Sequence, residues 1–244
     1  MRPIMRGASP RPADFDNYDD AKPYLVARMG PYCSYCERRI PTMLAVEHIQ
    51  PKSLPAYSHL VGRWDNFLLA CVNCNSCKKQ TDIALASVFL PDRDNAFAAF
   101  CYSADGSVTP APHLNATTRN IATATLSATG LDKRICATPD ENGKQVALDR
   151  VSQRMETWAE AEVSRADILA NPGNDAVRQA AIKLATAKGH FSIWMEVFAA
   201  DTEMRNRLIN AFVGTRGSGC FDPVTTQPVS PAPNPDRLSH GGKI

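Results

Sequence analysis

The chain of 244 residues has no apolar run approaching the roughly 18 residues that a membrane-crossing helix needs, so no transmembrane segment is expected. Behind Arg2 and Arg6 there is no apolar stretch either. Pro10, Pro12, Asp14 and Asp16 follow at once, which is not the pattern of a secretory signal, and the chain reads as cytoplasmic. No GxxxxGK(S/T) loop is present, so no ATP site of that kind is encoded, and there is no internal repeat. Aromatic residues are scarce at 7%, and neither sign of charge dominates, with 27 Lys and Arg against 25 Asp and Glu. That balance lacks the strong basic excess of a non-specific nucleic-acid binder, and it neither requires nor excludes a polyanionic partner.

The small net charge conceals a division. Residues 1–80 hold 11 Lys and Arg against 7 Asp and Glu, a net of +4, whereas residues 81–244 hold 16 against 18, a net of −2. The basic part contains a predicted helix over 19–29, with Asp19 or Asp20 as N-cap and Gly30 closing it. Short apolar runs at 43–47 and 66–70 suit buried strands, and the text after Cys71 turns into a helix. Asp105-Gly106 within 97–110 signals a hairpin. Helical periodicity follows at 115–129 and 149–170, the latter with Val151, Met155, Trp158, Ala166 and Leu169 on one face and Glu162 unexplained in its middle. Two more helices are expected at 174–188 and about 191–213, the last bent near Asp201. Their apolar stripes read as core. From Thr215 to Ile244, 15 of 30 residues are Pro, Gly, Ser or Thr, the composition of a disordered tail.

Of eight cysteines, four form two CxxC pairs, Cys33/Cys36 and Cys71/Cys74, 34 residues apart. A two-residue gap lets both thiolates of a pair reach one ion from a tight turn, and two such turns complete a closed tetrahedral site, for which zinc is the natural occupant. Unrelated redox pairs are the bland alternative. Cys77 extends the second pair to CxxCxxC and raises an iron–sulfur site as another. Cys101, Cys136 and Cys220 are scattered and read as ordinary thiols.

A closed structural zinc offers no open position for chemistry, so any catalysis must come from what lies between the pairs. There the sequence reads VEHIQPKS, then WDNFLLACVNCNSCKK. In these residues, over about 30–80, the chain resembles the HNH endonucleases, whose ββα-metal site is often buttressed by such a zinc knuckle. The wider text, with YCSYCERR, PDRDNAFAAFCYSADGSVTP and NATTRNIATATLSATGL, is similar to the PtuB-like HNH subunit of Septu-type and retron-linked anti-phage defence systems as far as about residue 135. The resemblance implies that Glu47 is the acidic metal ligand, His48 the general base, Asn66 the asparagine that ties the loop so that the histidine is aimed, and Asn75 the last metal ligand, on the helix. Glu stands where HNH enzymes more often have Asp, and Asn where they often have His. Both present oxygen, which favours Mg²⁺ or Mn²⁺ at the catalytic site. The resemblance also implies a nucleic-acid substrate, DNA before RNA, and a separate ATPase partner (PtuA-like).

The chemistry is consistent with that reading. Phosphodiester hydrolysis needs a deprotonated water and a cation for the leaving oxygen, and a histidine with a reference pKa of about 6.5 is largely neutral at pH 7. Lys52, Lys78 and Lys79 lie close enough in sequence to contact phosphate, with a solvated helix face as the alternative for Lys78 and Lys79. Asp92, Asp94 and Asn95 read as a capping turn before a second metal site. His59, His113 and His190 have no ligand context. A zinc-stabilised nucleic-acid or protein binding module without catalysis remains the alternative, which the Glu-His pair argues against. The expected fold is α+β. It comprises an N-terminal arm (1–29), a zinc-stabilised ββα HNH module with a β-hairpin (30–112), a mainly α-helical C-terminal support and docking region (113–214), and a disordered tail (215–244).

Overall fold

A computed structural model describes residues 1–133 and 150–244. Cys136 and the predicted start of a helix at 149 lie outside the described residues. A turn of 3₁₀ helix at Tyr18–Ala21 runs into α1 (Lys22–Met29), which Gly30 ends at φ 74°. The N-cap is not Asp19 or Asp20: Asn17 caps the 3₁₀ turn through the Asp19 amide. Strands β1 (Ala45–His48) and β2 (Phe67–Ala70) pair antiparallel, with Ala45 opposite Ala70 and His48 opposite Phe67. All of β2 is buried, which is why it reads as a continuous apolar run and not as an alternation. Helix α2 (Val72–Lys78) follows directly, its N-terminus capped by Cys71, whose Sγ accepts from the Cys74 amide at 3.4 Å.

The hairpin of β3 (Phe100–Tyr102) and β4 (Val108–Pro110) forms as predicted, turning through Gly106 at φ 73°. Helix α3 (Ala116–Thr129) is capped by Asn115 and closed by Gly130. Then come α4 (Arg150–Ala170) and α5 (Asp175–Lys188). The predicted last helix is two, α6 (Phe191–Val197) and α7 (Thr202–Ala211). Asp201 does not bend one helix but caps the second, accepting from the Met204 amide at 2.9 Å. One apolar cluster joins the arm, the strands and α3, and another joins α4 to α7, so the described chain is mixed α and β with a largely helical C-terminal part. None of the described helices is long and apolar enough to cross a membrane.

Two sequence expectations are corrected. Helix α4 buries Val151, Arg154, Thr157, Ala161, Ser164 and Ile168, whereas Met155 and Leu169 are exposed. The buried face is partly polar because each polar group has a partner: Arg154 Nε donates to Gly106 O, Thr157 meets His190 Nδ1 at 2.9 Å, and Ser164 bonds to Glu160 O. Glu162 is then explained, lying on the outer face in an ion pair with Arg165 at 2.7 Å.

The segment 215–244 is likewise not a disordered tail. Phe221, Cys220 and Ala232 are buried in the helical cluster. Its backbone is held by side chains far away in sequence: Asn95 Nδ2 donates to Cys220 O and Val229 O, Arg93 to Ser239 O, and Asp94 accepts from the Lys243 amide. Buried Asp92 sits between Arg6 at 3.2 Å and Arg93 at 3.0 Å. The Asp92–Asn95 turn therefore ties the N-terminal arm and the C-terminal segment to the module. Its role is structural, as a loop reading expects.

His190 begins α6 at φ 55°, its ring buried against Thr157. Burial pushes its pKa down to about 4. The unfolded chain then binds a proton that the folded chain refuses, so stability is full above about pH 6.5 and falls as pH drops toward 4, by about 2 kcal/mol at pH 5. His190→Asn, which tolerates a left-handed backbone, lacks this dependence. Urea midpoints of wild type and variant should therefore converge between pH 7 and pH 5. A constant gap contradicts the assignment.

Candidate metal centre and nuclease site

The four CxxC sulfurs converge. Cys33, Cys36, Cys71 and Cys74 are buried and their Sγ atoms all lie within 4.8 Å of one another, with Cys36 and Cys71 at 3.8 Å. A tetrahedral ion with Zn–S bonds of about 2.3 Å sets its sulfurs about 3.8 Å apart, so the donor set fits zinc. None of the four is in a disulfide. Hydrogen bonding among the thiols, first to Cys33, drives the Cys36 and Cys74 pKa values well up and Cys71 down. Such a cluster cannot ionise fully without a cation to neutralise it. Cys77 stands outside it, its sulfur facing Lys133 at 3.3 Å and Arg150 at 3.6 Å. Arg150 was not foreseen. It donates to Cys74 Sγ at 3.1 Å and to the last carbonyls of α3, Thr129 and Gly130, which clamps α4 onto the knuckle.

The knuckle fixes the start of α2 and the end of β2, and β2 fixes β1 by register. At the end of β1, His48 Nε2 lies 3.0 Å from Val61 O. A carbonyl only accepts, so Nε2 carries the proton and the neutral ring presents its lone pair at Nδ1. Tyr18 and Phe67 hold the ring edge-on at 4.8 and 5.2 Å between centroids. Burial lowers the His48 pKa, opposed by the Val61 carbonyl and reinforced by Lys52 and Lys78. Asn66 ties the loop that follows His48: Oδ1 accepts from the Gln50 amide at 2.8 Å and Nδ2 donates to Gln50 O and Leu60 O.

Glu47, next along the strand, faces the other side of the sheet. Its Oε1 lies 2.9 Å from Lys78 Nζ, which also donates to His48 O at 2.7 Å, and 3.5 Å from the Tyr35 hydroxyl. Burial holds the Glu47 carboxyl above its ordinary range in spite of Lys78. Asn75 is half-buried on α2, three residues before Lys78 and so on the same helical face. The donors here are a carboxylate and an amide oxygen, which suit Mg²⁺ or Mn²⁺, but a lysine ammonium already sits against the carboxylate.

The three lysines part company. Lys52 reaches the site: its Nζ meets the Tyr18 hydroxyl at 2.6 Å, over the ring that packs on His48. Lys78 is 1% exposed and turned inward, so it is corrected from a phosphate contact to the counter-ion of Glu47. Lys79 is exposed beyond the end of α2, where its backbone amide donates to Asn75 O at 2.8 Å. Tyr18 and the Val61 carbonyl were missed because neither belongs to a motif. Tyr18 arrives from the arm, 30 residues upstream of His48.

Two antiparallel strands running straight into a helix, with four thiols closing the base and a histidine at the strand end, define the ββα class of metal-site module. The family model for HNH endonuclease matches residues 33–81, from the first zinc cysteine to just past α2. Comparison with curated proteins gives no match.

Structural zinc contributes folding free energy directly. Cys36→Ser or Cys74→Ser should lower both zinc stoichiometry and melting temperature, measured by metal analysis and thermal denaturation. Unchanged values for both variants would contradict the four-thiol site.

Proposed function

We propose that this protein is a divalent-metal-dependent HNH endonuclease that hydrolyses phosphodiester bonds, DNA before RNA, with His48 as general base. The observation that carries the reading is the tautomer enforced on His48: Val61 O takes Nε2–H, which leaves Nδ1 as a base inside the segment that the HNH family model matches. Nδ1 would take the proton of the attacking water while the Val61 carbonyl steadies the imidazolium that results. A cation held by Glu47 and Asn75 would supply charge stabilisation for the leaving oxygen. Lys52, beside the ring, contributes positive charge for the phosphate, and Lys78 fixes Glu47 and the His48 carbonyl.

The likeness to the Septu-type and retron-linked HNH subunit supports a role as the effector nuclease of an anti-phage defence complex in the cytoplasm, regulated by an ATPase partner, with the helical region 113–214 as the docking surface. The Glu47–Lys78 pair favours a second reading, a zinc-stabilised binding module without catalysis, because the carboxylate is already neutralised.

Purified protein and His48→Ala, each with Mg²⁺ or Mn²⁺, on plasmid, single-stranded DNA and tRNA decide between them. Wild type should cleave only with metal, and His48→Ala should lose at least about a hundredfold in rate while keeping its zinc and its fold, the scale that general-base catalysis supplies. Full metal-dependent cleavage by the variant sinks the mechanism, and an inert wild type supports the binding module. In the same assay, proteins encoded beside its gene, an ATPase among them, should alter the rate. Indifference to them removes the regulatory part.

A further inference from the structure

Beyond the knuckle, a cavity of about 840 Å³ lies between the arm residues 6–14, the loop 49–66 and the C-terminal residues 235–239. That volume is within the range of about 300–1,000 Å³ usual for ligand sites. Most of its wall comes from segments that the HNH match does not cover. The C-terminal segment is fastened across it, because Asp236 accepts from the backbone amides of Arg6 and Gly7 at 3.0 and 2.8 Å.

The cavity is continuous with the machinery of His48. Gln50, Asn66 and Leu60 form part of its wall, and these are the groups that Asn66 ties together to hold the loop after His48. The wall has two kinds of surface. Ile49, Leu60 and Leu85 are apolar, whereas Arg11, Arg63 and Arg237 are exposed and positive. Asp14 and Asp65 both lie within 3.6 Å of Arg63, and Asp236 is occupied by the two amides. Among the described residues, Arg11 and Arg237 are therefore left without a carboxylate partner, with Arg11 laid over the Phe15 ring at 4.8 Å. Deeper in, Arg6 is buried in its ion pair with Asp92 at 3.2 Å, although its Nε has no hydrogen-bond partner among the described residues. An apolar surface beside the guanidinium groups of Arg11 and Arg237 matches a ligand that alternates flat bases with phosphates.

The geometry points to this cavity as the channel for the nucleic-acid strand flanking the scissile phosphate, with Arg11 and Arg237 contacting its phosphates. The inference rests on the nuclease reading and adds to it a strand path built from the two ends of the chain. The arm and the C-terminal segment then have a task in the substrate complex besides packing.

The test is equilibrium binding of a fluorescent 20-nucleotide single strand and its duplex to full-length protein carrying His48→Ala, so that the probe survives. Arg11→Glu with Arg237→Glu should weaken binding by at least about tenfold and flatten the dependence of log affinity on log salt by about 2, one for each phosphate no longer neutralised. Arg165→Glu with Lys183→Glu, an equal charge change on the helical surface, should do neither. Zinc content and melting temperature report that each variant is folded. Affinity and salt slope indistinguishable from that control overturn the inference. So does full displacement of the strand by a free mononucleotide at equal nucleotide concentration, which would make the cavity a nucleotide site. The two readings fail separately. A wild type that cleaves while the arginine variant binds normally removes only the channel. A wild type that binds through Arg11 and Arg237 and never cleaves removes the nuclease and leaves the channel.

Discussion

Four buried thiols meeting at one point are the constraint on which this structure depends. Cys36 and Cys71 are separated by 34 residues, and the convergence of their sulfurs to 3.8 Å closes that loop at its base. Closure places Cys71 as the cap of α2 and sets β2 in register against β1, so the position of His48 follows from a thiol cluster it does not touch. The same centre reaches outward. Arg150 donates to a cluster sulfur and to the end of α3, so the helix that opens the C-terminal part brings positive charge to four thiols that would carry a formal −2 with zinc bound.

Within that frame the strand end that carries His48 is gripped from several directions at once. Val61 O fixes the tautomer of His48, Tyr18 and Phe67 fix its plane, Asn66 fixes the loop that follows, and Lys78 holds the His48 carbonyl. Opposing demands meet at Glu47. Its carboxylate is the acidic ligand that the motif implies, yet it is buried against Lys78. Breaking such a buried pair by removing one partner costs about 3–5 kcal/mol, so Lys78 is as much a structural residue as a site residue. A divalent cation bound there would meet a charge already in place, a threshold on metal affinity that a bare carboxylate would not set.

The ββα module was legible in the sequence because its information is local. CxxC spacing, two short apolar runs and the Glu-His and Asn positions all lie within residues 33–81. What was not legible depends on partners remote in sequence. The buried face of α4 carries Arg154, Thr157 and Ser164, and the arrival of Gly106 O and His190 helps to offset the cost of burying the first two. The Pro- and Gly-rich C-terminal segment has the composition of disorder, since nothing in it discloses that Asn95, Arg93 and Asp94 supply its hydrogen bonds from more than a hundred residues away. Lys78 has the look of a surface lysine at a helix end. Its inward turn follows from the buried Glu47 across from it.

The most direct measurement of the central claim is chemical rescue at the proposed base. His48→Gly removes the imidazole and leaves a space of its shape between Tyr18 and Phe67. The account predicts that this variant, with Mg²⁺ or Mn²⁺, is inactive on nucleic acid by itself and regains cleavage as free imidazole is added, to a degree that tracks the neutral imidazole concentration. Cleavage by His48→Gly at the wild-type rate without imidazole would contradict it.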